Sequence, residues 1–387
     1  MTMTTQETVV IIIGAGPAGI ATSACLNLLS VPNIVLERED CTASLWKNKS
    51  YDRLKLHLAK QYCQLPHMRF PSHFPTFVSK VQFIQYLDTY VSRFRVNPML
   101  GRWVELASRE GGERWRVVAR KAGSGEREAF EGRFLVVATG ENSEGFVPEV
   151  LGLEGFGGEV VHSGEYGRNG KRYNGKDVLV VGCGNSGMEI AYDLVSCGAR
   201  PAISVRSPVH VLTKDMVQLG MSMLKVLPCG VVDKMVQTLA KLRYGDFSHY
   251  GLQTPSKGPF YLKRKTGRSP VIDTGTMDKI KAGNIQVLPS IKSVNGELIE
   301  FANGKTHGFQ AIVFATGYKS TVRKWLKDDG DLFNEDGMPK KGQPNHWKGK
   351  NGLYCVGFAR AGLFAIGRDA QNIANDICLF LSQQTNR

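Results

Sequence analysis

The sequence has no paired cysteines, no long apolar runs and no dense basic tract, and each absence argues against a class of protein. Its eight cysteines are scattered and no two have CxxC spacing, which argues against a disulfide framework, a metal cluster and a redox-active thiol pair. No stretch reaches the ~20 apolar residues of a transmembrane helix, and we expect no secretory signal, because the first residues show no basic segment followed by a long apolar core. We therefore expect a cytoplasmic protein, with membrane contact at most peripheral, as on the endoplasmic reticulum.

Acidic residues are outnumbered: 35 Asp and Glu stand against 49 Lys and Arg, for a formal net charge of +14. Such a balance suits a nucleic-acid binder, but zinc-finger spacing is absent and the basic residues form no dense tract. An enzyme whose ligands are all anions explains the charge equally well. We expect no nucleic-acid partner, and the oligomeric state stays open.

The first motif is VVIIIGAGPAG, in which an apolar run meets Gly14, Gly16 and Gly19 before a helical pattern begins. The three glycines suit a tight turn, close approach to a pyrophosphate, and close packing of helix on strand. A second strand then ends at Glu37, 21 residues past Gly16. A carboxylate in that place accepts hydrogen bonds from ribose hydroxyls, so this unit predicts a dinucleotide site.

The second motif repeats the first as VLVVGCGNSGMEIAYDL. The predicted cofactor-binding residues of this turn are Gly182, Gly184, Asn185, Ser186 and Gly187. Its next strand leads to Arg206, 22 residues past Gly184, where the first unit has an acid. An acid suits a free ribose and an arginine suits a 2′-phosphate. The pair predicts FAD in the first site and NADPH in the second, although an arginine can also simply end a strand.

Two Ala-Thr-Gly turns follow later apolar strands, at Thr139-Gly140 and at Thr316-Gly317, and we expect both to approach a cofactor. The predicted fold is α/β with two Rossmann-like dinucleotide-binding domains, the NADPH domain being inserted into the FAD domain. The predicted boundaries give FAD-domain segments 1–165 and 285–387 around an NADPH domain 166–284. A final helix is predicted from about residue 370. The helical segment 214–250 is either a channel cover, a subunit contact or a core-packing insertion.

Between the two glycine motifs stands Phe156-x-Gly158-x-x-x-His162, followed by Tyr166. This pattern resembles the fingerprint of flavin-containing monooxygenases. We expect it to couple NADPH position to flavin reduction and assign His162 no proton transfer; a structural histidine is equally compatible.

Longer stretches of the sequence point to one group within these monooxygenases: they resemble the YUCCA family over nearly the whole chain. The stretches that carry this resemblance include LKLHLAKQYCQLP, VVATGEN, VVGCGNSGMEIAYDL, VRSPVHVL, TGRSPVIDTGT, IVFATGYKS and GLYCVGF. YUCCA enzymes are flavin monooxygenases that convert indole-3-pyruvate, an aromatic α-keto acid, to the auxin indole-3-acetate. The resemblance implies that FAD is reduced by NADPH, that O2 forms a C4a-(hydro)peroxyflavin, and that this species oxidatively decarboxylates the keto acid.

Two residues are candidates for the chemistry itself. Lys60 falls near where other flavin monooxygenases place an asparagine beside the flavin adduct, and a positive charge there would stabilise an anion or orient a carboxylate. Asn142 follows the first Ala-Thr-Gly turn and is predicted to hydrogen-bond near the flavin or nicotinamide. The alternatives are a solvated lysine on a loop and an asparagine that only caps a turn.

Three other functions stay open. The same fold can oxygenate nitrogen or sulfur in soft nucleophiles. A disulfide reductase would need the missing CxxC. A non-catalytic nucleotide-binding redox regulator would bind cofactor without steady NADPH oxidation.

Overall fold

Short apolar strands and the glycine turns that follow them organise two separate α/β units. The computed structural model describes residues 4–110, 113–167, 170–327 and 330–385. The first unit contains Met1–Leu56, Lys60–Glu144 and Tyr318–Arg387, and the second contains His57–Ala59 and Gly145–Gly317. The second unit is therefore inserted in the sequence of the first, which confirms the nested arrangement.

The elements are numbered in chain order. The strands are Thr5–Ile13 (β1), Asn33–Leu36 (β2), Pro98–Met99 (β3), Arg102–Glu110 (β4), Arg114–Lys121 (β5), Arg127–Val137 (β6), Glu144–Gly145 (β7), Glu159–His162 (β8), Asp177–Val181 (β9), Arg200–Ser204 (β10), Val211–Leu212 (β11), Val271–Ile272 (β12), Gln286–Leu288 (β13), Ile291–Asn295 (β14), Leu298–Phe301 (β15), Thr306–Gly308 (β16), Ala311–Phe314 (β17), Tyr318–Lys319 (β18) and Leu353–Cys355 (β19). The helices are Pro17–Leu28 (α1), Ser44–Lys47 (α2), Lys80–Arg93 (α3), Ser163–Tyr166 (α4), Asn185–Ser196 (α5), Lys214–Met223 (α6), Cys229–Tyr244 (α7), Pro259–Thr266 (α8), Thr276–Lys281 (α9), Val322–Trp325 (α10) and Leu363–Thr385 (α11).

The first unit is built on a seven-stranded sheet of order β3-β2-β1-β6-β5-β4, with β19 also beside β6. The pairs β1–β2, β1–β6, β2–β3 and β6–β19 are parallel, whereas β4–β5–β6 is an antiparallel meander. Strand β1 is central, and its last four residues are buried apolar side chains, as expected for a strand covered on both faces. Because Ile13 pairs with Val137, the turns that follow β1 and β6 lie side by side.

The second unit has a five-stranded, fully parallel sheet of order β13-β10-β9-β17-β8. Val181 pairs with both Ser204 and Phe314, so the turns after β9, β10 and β17 meet at one edge. Ligands of open parallel sheets bind at the carboxyl ends of the strands. The sheets of both units therefore bring their glycine turns to the place where a nucleotide would bind.

The predicted domain boundaries are wrong. Both predicted cuts, after residues 165 and 284, fall inside the second unit, which runs from Gly145 to Gly317. The reason is strand pairing: β8 and β17 complete the second sheet beside β9. The chain returns to the first unit at Tyr318, and β19 later pairs with β6.

Helix α11 begins at Leu363, earlier than predicted. Asp369 is therefore an interior residue of the helix and contacts His346 at 2.9 Å, where both side chains are buried. Among the described residues, none of the helices combines the length and the apolar character needed to cross a membrane.

Candidate dinucleotide sites

Each glycine motif packs its first glycine against the neighbouring Ala-Thr-Gly turn. A Cβ atom on Gly14, which has a φ of +106°, would lie 2.7 Å from the carbonyl oxygen of Ala138. In the second unit a Cβ on Gly182, with a φ of +110°, would lie 2.6 Å from the carbonyl oxygen of Ala315. Contacts below 3 Å are unavailable to a real Cβ, so only glycine fits at both positions.

The third glycine of each motif lets the helix approach the turn. A Cβ on Gly19 would lie 1.9 Å from the carbonyl oxygen of Gly14, and a Cβ on Gly187 would lie 2.0 Å from that of Gly182. A methyl group at either position would therefore separate the helix from its strand. Gly187 is thus placed as a packing residue, consistent with the role predicted for the third glycine.

The middle glycine of each motif has the opposite environment. Gly16 is the N-cap of α1 and Gly184 is the N-cap of α5, and a Cβ on either meets no atom of the described residues within 4 Å. The open volume lies where the first backbone N–H groups of a twelve-residue helix have no intrahelical partner. Such a space fits a pyrophosphate, which gains from those donors and from the helix dipole.

Glu37 closes the first turn. Its Oε2 accepts a hydrogen bond from the backbone N–H of Ala15 at 2.7 Å, and its Oε1 accepts one from Glu39 N–H at 3.0 Å. Burial raises the pKa of the Glu37 carboxyl, and the two backbone N–H groups oppose that shift. Each oxygen keeps a lone pair for a further donor, so the ribose contact predicted for Glu37 remains possible stereochemically.

A cleft of about 260 Å³ opens over this turn within the first unit. The predicted residues Gly14, Gly16, Glu37, Thr139 and Asn142 line it. The buried Oγ1 of Thr139 has no hydrogen-bond partner among the described residues. A buried hydroxyl without a partner costs free energy, so this atom is suited to a ligand in the cleft. The conformation of Gly140, with a φ of +74°, also leaves open space at its Cβ position.

The same cleft has an aromatic and basic wall that the sequence patterns did not identify. The Arg38 guanidinium lies 5.5 Å from the centre of the Trp103 ring and donates to the Ser143 carbonyl at 3.1 Å. Trp103 is 51% exposed, an unusual position for so large an aromatic side chain. A flat ring beside a cation suits a stacked heterocycle.

A larger cleft of about 580 Å³ lies over the second glycine turn. Gly182, Gly184, Arg206 and Thr316 line it, together with Arg268, which no sequence motif indicated. The parallel pair β11–β12 carries the segment before Val271 beside the segment before Val211. Consequently Arg268 donates to the Pro208 carbonyl, two residues from Arg206. Two guanidinium groups on one cleft suit a phosphate better than one.

The positive charge of Arg268 lowers the pKa values of two neighbouring groups, Cys183 and His210. Burial raises the pKa of the Cys183 thiol to about 12, and the charge of Arg268 opposes that shift. Burial also lowers the pKa of His210, and Arg268 lowers it further. The His210 imidazole contacts the Lys257 carbonyl through Nε2 at 2.7 Å, so it is held in place as a wall of the cleft.

The remaining predicted residues of the second turn act mainly within the protein. Asn185 accepts a hydrogen bond through Oδ1 from the backbone N–H of Ile272 at 2.7 Å, which fixes β12 beside α5. Ser186 follows it in the first turn of α5. The Thr316 hydroxyl donates to the Phe146 carbonyl, so it has a protein partner where Thr139 has none. The side chain of Asn185 is therefore placed as a structural support.

The fingerprint residues Phe156 and Gly158 have packing roles, and at position 158 a side chain would clash. Phe156 packs on the cluster formed by the second sheet and β14–β15, which includes Phe301 and Phe314. A Cβ on Gly158 would lie 2.4 Å from the Gln310 carbonyl oxygen and 2.7 Å from the Phe156 ring. This part of the motif therefore fixes the chain as it enters β8.

The other fingerprint residues join β8 to the second Ala-Thr-Gly turn. His162 contacts the Gly317 carbonyl through Nε2 at 2.9 Å and accepts the Gly164 N–H through Nδ1 at 3.1 Å. These contacts require a neutral ring with its proton on Nε2, and burial lowers the pKa of His162 accordingly. Tyr166 donates to Asp193 on α5 at 2.8 Å. His162 thus positions Gly317, and a proton-transfer role is unnecessary.

Lys60 is not among the residues that line the cleft of the first unit. Its ammonium donates to the carbonyls of Pro71, Ser72 and Phe74 at 3.3, 3.0 and 2.6 Å. An ammonium has three donors, and these three contacts use them all. The geometry favours a structural role for Lys60, which holds the 71–74 loop.

A side-chain contact made by His57, close to Lys60 in the sequence, was also not predicted. His57 contacts Glu189 on α5 through Nε2 at 2.8 Å, and the Glu189 side chain is 3% exposed. The adjacent Leu58 packs on the cluster that includes Leu212 and Val217. No sequence motif indicated this pairing, because 132 residues separate the partners. Among the described residues, no cluster of three or more His, Cys, Asp or Glu side chains could hold a metal ion.

Comparisons with known proteins identify the family of the chain. The family model described as "Flavin-binding monooxygenase-like" matches residues 7–328. Probable indole-3-pyruvate monooxygenase YUCCA10 of Arabidopsis thaliana is 52% identical over 383 residues, covering 98% of this chain and 100% of that relative. Indole-3-pyruvate monooxygenase YUCCA1 of Oryza sativa subsp. japonica is 46% identical, covering 95% and 90%. A flavin-containing monooxygenase from Stenotrophomonas maltophilia shares the fold, with a TM-score of 0.72 at 19% identity over 97% of this chain and 99% of that one. The chain belongs to the flavin-binding monooxygenase family and, within it, to the YUCCA group of FAD- and NADPH-dependent monooxygenases.

Proposed function

We propose that this protein converts indole-3-pyruvate to indole-3-acetate by oxidative decarboxylation, with FAD in the first unit and NADPH in the second. The observation that carries the proposal is that the two units have equivalent glycine turns but differ in the charge of the residue that follows the second strand of each motif. Glu37 lies on the first cleft and Arg206 lies on the second. The substrate is taken from the names of the relatives, YUCCA10 and YUCCA1, which cover nearly the whole chain.

The first cleft would hold FAD through four features. The open space at Gly16 and the start of α1 receive the pyrophosphate, and Glu37 accepts from the ribose hydroxyls. The Thr139 hydroxyl, which has no partner among the described residues, would bond to the cofactor, and Asn142, which lines the cleft, would help to orient the ring system. When bound, FAD supplies hydride acceptance and oxygen activation.

The second cleft would hold NADPH. Gly184 leaves room for the pyrophosphate at the start of α5, and Arg206 with Arg268 binds the 2′-phosphate. Guanidinium groups form paired hydrogen bonds with phosphate oxygens. NADH has only a hydroxyl in that place, so the two arginines would discriminate between the coenzymes.

The protein's own groups orient the reactants and exclude water. The proposed reaction needs no side-chain nucleophile, because reduced flavin and oxygen supply the reactive species. Lys60 contributes indirectly, by fixing the 71–74 loop through three carbonyls. The reaction requires an aromatic α-keto acid and O2 as partners. We propose that the protein acts in the cytoplasm, and subcellular fractionation would test this location.

The test is turnover by the purified flavin-loaded protein. NADPH oxidation is followed with and without indole-3-pyruvate, and products are identified by mass. Indole-3-acetate formed in step with NADPH and O2 consumption would support the proposal. Hydrogen peroxide as the sole product would remove this substrate, and oxygenated amines or thioethers would replace the proposal with heteroatom oxygenation.

A further inference from the structure

Helix α7 is anchored to its unit by one face only. Val232 and Val236 are fully buried and pack with Leu212, Val217 and Ile272. The burial of this inner face accounts for the stability of the helix. Apolar residues elsewhere on α7 therefore need a separate explanation.

A second apolar surface points to solvent. Val231, Met235 and Leu242 are 45, 41 and 79% exposed, and at about 100° per residue they fall within roughly 40° of one another around the helix axis. The loop before the helix adds Val226 and Leu227, which are 81 and 36% exposed. We call these five residues the α7 outer face. Exposed apolar residues clustered in this way mark an interaction surface.

Within residues 225–243 the exposed charged side chains are all basic. Lys225, Lys234 and Lys241 are exposed, and the two on the helix lie next to the apolar strip. Between residues 216 and 245 the single acidic residue is Asp233. It is buried, and its carboxylate accepts two backbone N–H groups at the start of α8, at 2.8 and 3.1 Å. The exposed surface is therefore apolar and basic, with no exposed carboxylate in this segment.

We propose that the α7 outer face docks on a lipid bilayer containing anionic phospholipid, with α7 lying in the plane of the interface. The apolar side chains enter the boundary between headgroups and acyl chains, and the lysines lie at the level of the phosphates. The formal net charge of +14 adds a long-range attraction to such a surface. The contact is peripheral and independent of the reaction proposed above.

A second copy of the chain fits this face less well. A twofold contact would bring each lysine patch close to its own copy, and like charges facing each other oppose association. An anionic bilayer instead carries negative charge, which is complementary to the lysines of this face. Salt should therefore weaken the docking, because screening shortens the range of the attraction.

The test is co-sedimentation of the flavin-loaded full chain with vesicles. Phosphatidylcholine vesicles containing phosphatidylserine are compared with vesicles of phosphatidylcholine alone. The wild-type protein is expected to pellet with the first, less so at high salt, and to stay in solution with the second. Replacing Lys234 and Lys241 by Gln should lower partitioning roughly thirtyfold, since each basic residue near such a surface contributes about fivefold.

Variants of the apolar residues, together with control variants, distinguish insertion of apolar side chains into the bilayer from electrostatic attraction alone. Val226→Ser with Leu242→Ser should lower partitioning by about tenfold, because less apolar surface leaves water. Lys305→Gln and Leu151→Ser, at exposed positions elsewhere in the same unit, should leave partitioning unchanged. Flavin content and circular dichroism confirm that each variant is folded.

Three results would overturn the proposal. The first is wild-type protein that ignores anionic vesicles, and the second is α7 variants that pellet as well as the controls. The third is a concentration-dependent dimer that Leu242→Ser abolishes, which would assign the face to a second copy of the chain.

Discussion

Replacing Gly16 by Ala should remove FAD without harming the fold. Gly16 has φ −71° and ψ 178°, which alanine adopts freely, and its Cβ position is empty of protein atoms to 4 Å. The apoprotein should therefore keep its stability or gain about 0.4–1 kcal/mol from a less flexible unfolded chain. The methyl group would instead occupy the space proposed for the pyrophosphate, and flavin content should fall below about a tenth, a loss of roughly 1.4 kcal/mol or more.

The same substitution three residues later should behave differently. Gly19→Ala places Cβ 1.9 Å from the Gly14 carbonyl oxygen, so α1 must move and both stability and flavin should be lost, with about 1–3 kcal/mol of destabilisation. The assay is the ratio of flavin to protein absorbance after purification, with thermal unfolding of the flavin-free protein. Gly155→Ala, also in open space, is the matched control. A fully yellow Gly16→Ala protein would refute the proposed pyrophosphate site at Gly16.

Four further predictions concern single side chains. Arg206→Ala and Arg268→Ala should each raise the KM for NADPH about tenfold or more while leaving that for NADH nearly unchanged, since one charge-assisted phosphate contact is worth ~1.5–3 kcal/mol. Lys60→Met should speed protease cleavage in the 71–74 loop, because it deletes three carbonyl contacts. Tyr166→Phe should lower unfolding stability by about 0.5–1.5 kcal/mol through loss of the Asp193 hydrogen bond, with kcat unchanged. Burial lowers the pKa of His162 from its ordinary 6.5, so the stability that it contributes is present above pH 6.5 and is lost as pH falls through the folded pKa. Thermal unfolding against pH should show this, with a smaller slope in His162→Gln.

Each of these has a contrary result. Equal effects on NADPH and NADH would remove the 2′-phosphate role of the arginines. Normal loop protection in Lys60→Met, with weakened keto-acid binding, would return Lys60 to the catalytic site. A large kcat loss in Tyr166→Phe, or an unaltered pH slope in His162→Gln, would show that these fingerprint residues do more than position the chain.

The glycine motifs were predictable because each glycine's role is set by residues within a few positions along the chain. Gly19 contacts Gly14, and Gly187 contacts Gly182. The fold class followed from the repeated order of strand, turn and helix. The charge contrast between Glu37 and Arg206 was visible for the same local reason, and both residues line the clefts above their turns.

Features that depend on distant pairing were not predictable. The domain boundaries failed because β8 and β17 join a sheet whose other strands lie between them in sequence. Arg268 was missed because only the β11–β12 pair brings it beside Pro208. The role of Lys60 depended on the path of the 71–74 loop, which no pattern in the sequence specifies. Side-chain partners of this kind follow from tertiary structure alone.

The central claim is that FAD in the first unit would be reduced by NADPH bound in the second, and that O2, activated at the reduced flavin, would then oxidise the keto acid. The most direct measurement is a single turnover: the flavin-loaded protein is mixed with NADPH without oxygen, and then with O2 and indole-3-pyruvate. The account predicts loss of the visible flavin absorbance on the first mixing and, on the second, its return with one indole-3-acetate per flavin. Flavin that NADPH fails to reduce, or that reoxidises without forming indole-3-acetate, would contradict it.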